Sequence, residues 1–207
     1  EVKTPLALLT LVLDNRRDTL PEAVGFKLDY ARNRMQAFID QMLYYARLRG
    51  ARRDYRFERL TLRSCIDEVL DDYRPLLEEK GFRVEILLAD ETVFTDRRGL
   101  CFLLGQLVSN SVKYTCDAPV LTFSLACSEA ETVLTVRDNG PGVRACDLPY
   151  VFEKGFTGNS GHEKSKATGM GLYLAREIAK ELGLTLSAAS DWGAGFAVCI
   201  SFPVVTE

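Results

Sequence analysis

The spacing of apolar residues changes near Gly50, and this change limits what the chain can fold into more than any other feature. Before that point, apolar side chains recur at alternating steps of three and four, which places them along one side of a helix. The repeat consists of Leu28, Ala31, Met35, Phe38, Met42 and Tyr45. After that point, short β-branched segments alternate with longer helical ones. We therefore predict a helical part over residues 1–50, a linker over 51–55 and a mixed α and β part over 56–207.

The helical part is predicted to be a hairpin. Leu6, Leu9 and Leu13 form a second apolar stripe, which Leu20-Pro21 separates from the first. Two helices alone bury little apolar surface, so we expect the hairpin to dimerise into a four-helix bundle. The alternative is that both stripes pack on the second part of the same chain.

The second part is predicted to be a two-layer α/β sandwich of the α+β class, because its strands and helices segregate. The predicted strands are Phe82–Leu88, Val120–Ala126, Thr132–Val136, Leu184–Ala188 and Phe196–Phe202. The predicted helices are Cys65–Glu79, Arg97–Tyr114 and Leu172–Leu182. The stretch Thr157–Gly169, rich in Gly, Ser, Thr and Lys, is expected to be a mobile loop.

Charge and hydropathy exclude several classes of partner. A formal net charge of -3 favours neither nucleic acid nor an anionic membrane surface. The basic stretch Arg47–Arg59 is interrupted by acids, so a solvated linker is favoured over a contact with an anionic partner. No apolar run reaches the roughly 18 residues needed to cross a bilayer. The six cysteines contain no CxxC pair, and one histidine cannot complete a zinc set, so reduced thiols in a cytosol-like compartment are expected.

The helix Arg97–Tyr114 has a polar stripe that suits a metal ion and phosphates. The stripe consists of Gln106, Asn110, Lys113 and Tyr114, and the other positions are mainly apolar. An amide oxygen can bind Mg²⁺ while a lysine meets a phosphate charge. The alternative is an amphipathic helix with a solvated face.

Two glycine-containing segments could bind parts of a nucleotide. Asp138–Gly142 follows a predicted strand, and its carboxylate could accept a hydrogen bond from an exocyclic amino group; the alternative is a plain turn. Thr168–Gly171 opens a predicted helix, where exposed N–H groups favour phosphate. The alternative is a flexible entry into that helix.

The order of these segments resembles the catalytic domain of sensor histidine kinases, in the superfamily of gyrase, chaperone and mismatch-repair ATPases. The polar helix is followed by Asp138–Gly142, by Phe152–Phe156, by a loop and by Gly169–Gly171, over residues 56–207. Residues 1–50 resemble the dimerisation and phosphotransfer hairpin, because Glu1-Val2-Lys3-Thr4-Pro5-Leu6 matches the segment after the phospho-accepting histidine. The short first helix and the loop Gly155–Gly158 are similar to those of small membrane-embedded sensors that answer envelope stress or antimicrobial peptides.

The resemblance implies ATP and Mg²⁺ as cofactors. Asn110, with Gln106, would coordinate Mg²⁺, and Asp138 would accept from the adenine amino group. Residues 157–168 would form a lid over the nucleotide. The other residues implied at the nucleotide are Lys113, Tyr114, Gly140, Gly142, Lys154, Phe156, Thr168, Gly169, Met170, Gly171 and Leu172.

The resemblance also implies a signalling role. The partners would be a second copy of the chain and the receiver domain of a response regulator. Glu1 would act as base on the histidine, and Thr4 would position water for dephosphorylating the regulator. The chain would be the cytoplasmic portion of a bacterial membrane protein, attached through an N-terminal sensor region absent from this sequence.

Several positions depart from the family pattern. The phospho-acceptor would precede Glu1, and the single histidine, His162, is interpreted as a solvated lid residue, so the chain is expected to bind ATP without phosphorylating itself. Gln106 stands where many relatives carry asparagine, and Phe196 where a small hydroxyl residue is usual. Thr157 stands where many have an arginine near the γ-phosphate; the candidate substitutes are Lys154, Lys164 and Lys166.

Three functions remain open on these grounds. The first is an ATP-dependent protein-histidine kinase, with or without phosphatase activity toward its regulator. The second is a non-catalytic ATP-binding scaffold, which the missing arginine suggests. The third is another ATPase of the superfamily, against which the helical hairpin argues.

Overall fold

The computed structural model describes residues 55–88, 90–158 and 169–203, together with Val24, Leu28 and Ile39. Contacts divide the chain into two units, Glu1–Asp54 and Tyr55–Glu207. In the first unit the three described residues are helical. The predicted hairpin, its dimer and residues 51–54 of the predicted linker lie outside the described residues.

The second unit contains seven strands and three α-helices within its described residues. The strands are β1 (Phe57–Thr61), β2 (Arg83–Leu87), β3 (Thr92–Asp96), β4 (Val120–Cys127), β5 (Glu131–Asp138), β6 (Thr185–Asp191) and β7 (Gly195–Pro203). The helices are α1 (Leu62–Glu79), α2 (Arg97–Lys113) and α3 (Gly171–Glu181), with a short 3₁₀ helix at Leu148–Tyr150. None of the helices in this described part is both long and apolar enough to cross a membrane.

Five strands form the main sheet in the order β2-β4-β5-β7-β6. The strands β2 and β4 are parallel, whereas the other neighbouring pairs are antiparallel. Apolar residues alternate along β4 and β5, and the buried set includes Phe123, Leu134 and Val136. This face packs against helices whose apolar sides are also buried, such as Leu103 and Leu107 of α2. The predicted α+β class and its two layers are confirmed.

A second sheet, of two strands, was not predicted from the sequence. The strands β1 and β3 pair antiparallel, with Leu60 opposite Val93. Each has only five residues, and β1 carries Glu58 and Arg59, so its local propensity for a strand is weak. Pairing between segments distant in the chain, rather than local sequence, makes these residues strands.

The small sheet leads directly into α2, the helix with the polar stripe. Asp96, the last residue of β3, is the N-cap of α2, and its Oδ1 accepts from the Gly99 N–H at 2.8 Å. Its Oδ2 accepts from the Arg56 N–H, also at 2.8 Å. Asp96 is only 2% exposed, and its bond to Gly99 is buried while its bond to Arg56 is partly buried. Asp96 therefore anchors both the start of the unit and the start of α2.

Candidate functional site

A small cleft between α2 and the main sheet brings together two of the predicted site residues. Asn110 enters it from the helix and Asp138 from the end of β5. The full lining is Leu107, Asn110, Ser111, Val136, Asp138, Phe196 and Val198. The walls are thus largely apolar, with an amide, a hydroxyl and a carboxylate among them, as in many small-molecule sites.

Asp138 points to the helical side because of its register in the sheet. It lies opposite Leu121 of β4 and Phe196 of β7. Residues directly opposite each other project from the same face of a sheet, and both neighbours are buried. The carboxylate of Asp138 is therefore placed at the edge of the core, and the residue is only 8% exposed.

Backbone and side-chain donors hold this carboxylate. Its Oδ1 accepts from the Gly140 N–H at 3.0 Å, and its Oδ2 accepts from the Ser111 hydroxyl at 3.0 Å. Burial raises the pKa of Asp138 above the ordinary aspartate value, although hydrogen bonds from Gly140, Ser111 and the Phe196 backbone oppose the rise. An ionised carboxylate can only accept hydrogen bonds, so the group suits a ligand that presents an N–H donor.

The remaining members of the polar stripe lie outside the lining of this cleft. Gln106 is half-buried one helical turn before Asn110, on the same side of α2. The Lys113 ammonium lies 5.1 Å from the centre of the Tyr114 ring, a cation–π arrangement at the end of α2. Of the four stripe residues, Asn110 is the one that lines the cleft together with Asp138.

Asn139 ties together the loops next to the cleft, a role that was not predicted from the sequence. Its Oδ1 accepts from the Val120 N–H at 2.7 Å, and its Nδ2 donates to the Ala118 carbonyl at 3.1 Å. These bonds fix the connection between α2 and β4 to the end of β5. In the sequence, asparagine at this position indicates no more than a turn.

Gly140 and Gly142 are required where the protein backbone comes close to itself. A Cβ on Gly140 would lie 2.5 Å from the Tyr114 carbonyl oxygen. Gly142 has a φ of +68°, and a Cβ there would lie 2.5 Å from the Asp191 carbonyl oxygen. Their predicted contact with a nucleotide stays a prediction, but the absence of a side chain already follows from these contacts within the chain.

The predicted lid has its two ends held together. The Gly155 N–H donates to the Gly169 carbonyl at 2.9 Å. Gly169 has a φ of +66°, and a Cβ there would lie 2.3 Å from the carbonyl carbon of Gly155. Residues 159–168, including Thr168, His162 and the two candidate lysines, lie outside the described residues.

The residues on either side of the lid do not line the cleft. Met170 is buried at the N-cap of α3, and Gly171 and Leu172 begin that helix. The Phe156 ring lies 6.2 Å from that of Tyr150, and Lys154 is exposed. Their predicted contacts with a nucleotide stay predictions.

Ser111 and Phe196 are cleft residues that were not predicted as part of the site. Ser111 directly follows Asn110, so its position within the polar end of α2 was the available signal. Phe196 stands out in the sequence only as a departure from the family pattern, and its buried ring forms one wall. Burial and cross-element contact make both part of the site, and neither property is visible in the sequence.

The comparison with known proteins places the chain in a family. A profile of the family described as "Histidine kinase-, DNA gyrase B-, and HSP90-like ATPase" matches residues 95–206. The sensor protein BceS of Halalkalibacterium halodurans is 34% identical over 207 residues, which are 100% of this chain and 61% of that protein. BceS of Bacillus subtilis is 33% identical over 204 residues, 99% of this chain and 60% of that protein. The chain thus spans about three fifths of the length of these relatives.

Solved structures have the same fold. The histidine kinase AdeS of Acinetobacter baumannii matches with a TM-score of 0.71 at 20% identity, over 99% of this chain and 98% of that one. The catalytic domain of the histidine kinase ThkA matches with a TM-score of 0.61 at 20% identity, over 73% of this chain and 99% of that one. At these identities the similarity establishes the fold alone.

Proposed function

Because the chain belongs to the histidine kinase-, DNA gyrase B- and HSP90-like ATPase family, we propose that it is the ATP-binding and dimerising part of a sensor histidine kinase. In this proposal the γ-phosphoryl group of ATP passes to a histidine, and from there to an aspartate of a response regulator. The similarity to BceS along nearly the whole chain supports the sensor kinase over other ATPases of the family.

The observation that carries the proposal is the buried carboxylate of Asp138 in a largely apolar cleft. The apolar walls suit a flat aromatic ring, and the carboxylate suits an amino group at its edge. An adenine ring presents such an amino group. A guanine ring would bring a carbonyl oxygen to the same place, so two acceptors would face each other without a hydrogen. We therefore expect adenine nucleotides to be preferred.

The polar end of α2 suits the phosphates and their metal ion. Asn110 would offer its amide oxygen to Mg²⁺, with Gln106 as a second ligand, and Lys113 would meet a phosphate charge. Bound Mg²⁺ neutralises the charge of the phosphates, and phosphoryl transfer needs mainly this and correct positioning. The donor set of the described residues fits such a group. Glu1 and Thr4, proposed to act on the histidine and on water, lie outside the described residues.

The proposed partners are a second copy of the chain, through residues 1–50, and a receiver domain. The relatives BceS, YxdK and GraS support the narrower proposal that the parent protein is a small sensor of the kind that answers antimicrobial peptides. A place at the bacterial cell membrane, through a further N-terminal region, belongs to the same proposal.

Nucleotide binding is tested by calorimetric titration of the chain with ADP or a non-hydrolysable ATP analogue, with and without Mg²⁺. We expect binding of adenine nucleotides, strengthened by Mg²⁺, and much weaker binding of GDP. If no adenine nucleotide binds at millimolar concentration, the proposed function is wrong.

The kinase reaction is tested with the full natural protein and ATP labelled on its γ-phosphate. We expect acid-labile, base-stable label on a histidine, followed by transfer to a receiver domain. Binding without label would instead support the non-catalytic scaffold, which Thr157 in place of an arginine suggests. Steady hydrolysis of ATP without a labelled histidine would support another ATPase of the family.

A further inference from the structure

Ser111 lies at the contact between the helix and the carboxylate. It is 4% exposed and lines the cleft next to Asn110. Its Oγ is 3.0 Å from Oδ2 of Asp138 and 3.2 Å from the Leu107 carbonyl oxygen, one helical turn earlier. A buried hydroxyl therefore has two acceptors within reach.

The hydroxyl has one hydrogen to give to these two acceptors. When it donates to Asp138, it supports the carboxylate; when it donates to Leu107, it makes the common back-bond of a serine to its own helix. Neither arrangement leaves the buried hydroxyl without a partner, so changing between them does not incur the penalty of an unsatisfied polar group. Because a carboxylate oxygen has two lone pairs, Oδ2 can also accept from a ligand donor while the hydroxyl keeps its bond.

The groups around Asp138 act on its carboxylate in different ways. Arg137, the preceding residue on β5, is the charged group that acts on the carboxylate. The neighbours from β4 and β7 have the apolar side chains of Leu121 and Phe196, and the Phe196 backbone also donates to the carboxylate. The Gly140 N–H binds the other oxygen, Oδ1. Ser111 provides the side-chain hydroxyl that donates to Oδ2.

We propose that Ser111 is a positioning residue for nucleotide recognition. Its hydroxyl donates to Oδ2 and holds the Asp138 carboxylate ionised and oriented, while the adenine amino group donates to the same carboxylate. This inference rests on the proposed function and extends it to a residue outside the predicted site. The hydrogen bond also lowers the pKa of Asp138 against the effect of burial, so the acceptor persists to more acidic pH.

The test compares Ser111→Ala with Ser109→Ala by titrating each variant and the wild type with ADP between about pH 5 and 8. Ser109 is a matched control because it loses a hydroxyl from the same helix, where it bonds to Tyr73 of α1 instead. We expect Ser111→Ala to bind ADP about tenfold more weakly at neutral pH, as for one hydrogen bond to a charged group. The pH at which affinity falls should also rise, whereas Ser109→Ala should match the wild type in both respects.

The phosphate groups of ADP themselves change protonation state over part of this pH range. The ratio of variant to wild-type affinity is therefore compared at each pH. An unchanged affinity for Ser111→Ala overturns the inference, as does a weaker affinity with an unchanged pH dependence. Equal effects of both substitutions overturn it too, because they indicate a general loosening of α2. If the wild type binds no adenine nucleotide, it is the proposed function that fails, before the variants are compared.

Discussion

At the scale of single residues, the site depends on a carboxylate that the fold stabilises only in part. Burial of Asp138 disfavours its ionised form, and its hydrogen bonds compensate incompletely, because the pKa remains raised. A group that the fold would prefer to have neutral, in a cleft, is typical of a functional site rather than a structural one. Removing its charge should therefore affect binding and stability in opposite directions.

We expect Asp138→Asn to weaken ADP binding by about 10- to 100-fold, since the loss of a buried hydrogen-bond partner costs about 1–3 kcal/mol. The amide oxygen can accept from Gly140, but the amide nitrogen then meets the adenine amino group, donor against donor. The stability without nucleotide should be equal to or greater than that of the wild type. Calorimetric titration and thermal unfolding measure the two effects, and an unchanged affinity would remove Asp138 from the site.

The same substitution should change how stability depends on pH. The pKa of Asp138 is higher in the folded chain than the ordinary aspartate value, so its protonated form stabilises the fold at low pH. This contribution is lost as pH rises from the ordinary aspartate value through the raised folded value. The free energy of unfolding of Asp138→Asn, relative to the wild type, should increase across that window and stay constant above it. Urea unfolding at several pH values measures this; a difference that decreases with pH would contradict it.

At the scale of elements, α2 carries Asn110 and Ser111, the two polar side chains on the helical side of the cleft. The position of this helix therefore matters for the site, and its start is held by a capping residue. Asp96 caps α2 and also binds the backbone of Arg56, ahead of β1. One buried side chain thus links the small sheet to the helix of the site.

Asp96→Ala should lower the free energy of unfolding by about 2 kcal/mol, because it removes a helix cap and leaves a shielded N–H without its acceptor. Asp96→Asn is the matched control, since asparagine caps helices as well as aspartate but has one oxygen for two donors. Its loss should be smaller. Urea unfolding measures both, and an alanine variant as stable as the wild type would show that the cap is dispensable.

The contact between Gly155 and Gly169, at the base of the proposed lid, is a second feature at this scale. Gly169 needs both a positive φ and the absence of a Cβ, because the Gly155 backbone is in contact with it. Gly183 has a similar φ of +70°, but a Cβ at that position would have nothing within 4 Å, so it isolates the effect of backbone strain.

We expect Gly183→Ala to lose about 1 kcal/mol of stability, the usual cost of a left-handed alanine, and to keep its affinity for ADP. Gly169→Ala should lose more stability and also bind ADP more weakly, because it separates Gly155 from Gly169 at the base of the proposed lid. Thermal unfolding and ADP titration compare the two variants. Equal effects on ADP affinity would mean that the Gly155–Gly169 contact does not matter for binding.

At the scale of the whole molecule, the chain has two units, and the predictions for them rest on different grounds. The nucleotide site proposed here lies within Tyr55–Glu207. The expected dimer depends on the apolar repeat of the first unit, whose residues lie mostly outside the described ones. Binding and dimerisation should therefore be separable.

Phe38→Asp places a charge in the centre of the predicted helical seam, where burying it would be unfavourable. We expect this variant to sediment as a monomer and still to bind ADP with the affinity of the wild type. A dimer that survives the substitution would locate the contact between copies elsewhere. Glu129→Asp, an exposed change in the second unit, serves as the control for sedimentation.

Local patterns predicted much of the second unit. The strands β4 to β7 and the helices α2 and α3 lie within a few residues of their predicted bounds, because alternation and helical spacing report which face is buried. The strands β1 and β3 were missed, since their pairing joins residues 31 to 39 positions apart, as from Thr61 to Thr92 and from Phe57 to Asp96. The start of α1 was predicted three residues late, at Cys65 instead of Leu62.

The sequence by itself determined the chemistry available: a carboxylate at the end of a strand, an amide on a helix, glycines around a loop, and their order along the chain. Only the tertiary structure decided which of these groups meet. Asn110 and Asp138 share a cleft, Ser111 joins them, and Asn139 and Asp96 hold the supporting backbone. The physical reason is that burial and hydrogen bonds between distant residues arise from packing of whole elements, whereas sequence patterns report only the periodicity within one element.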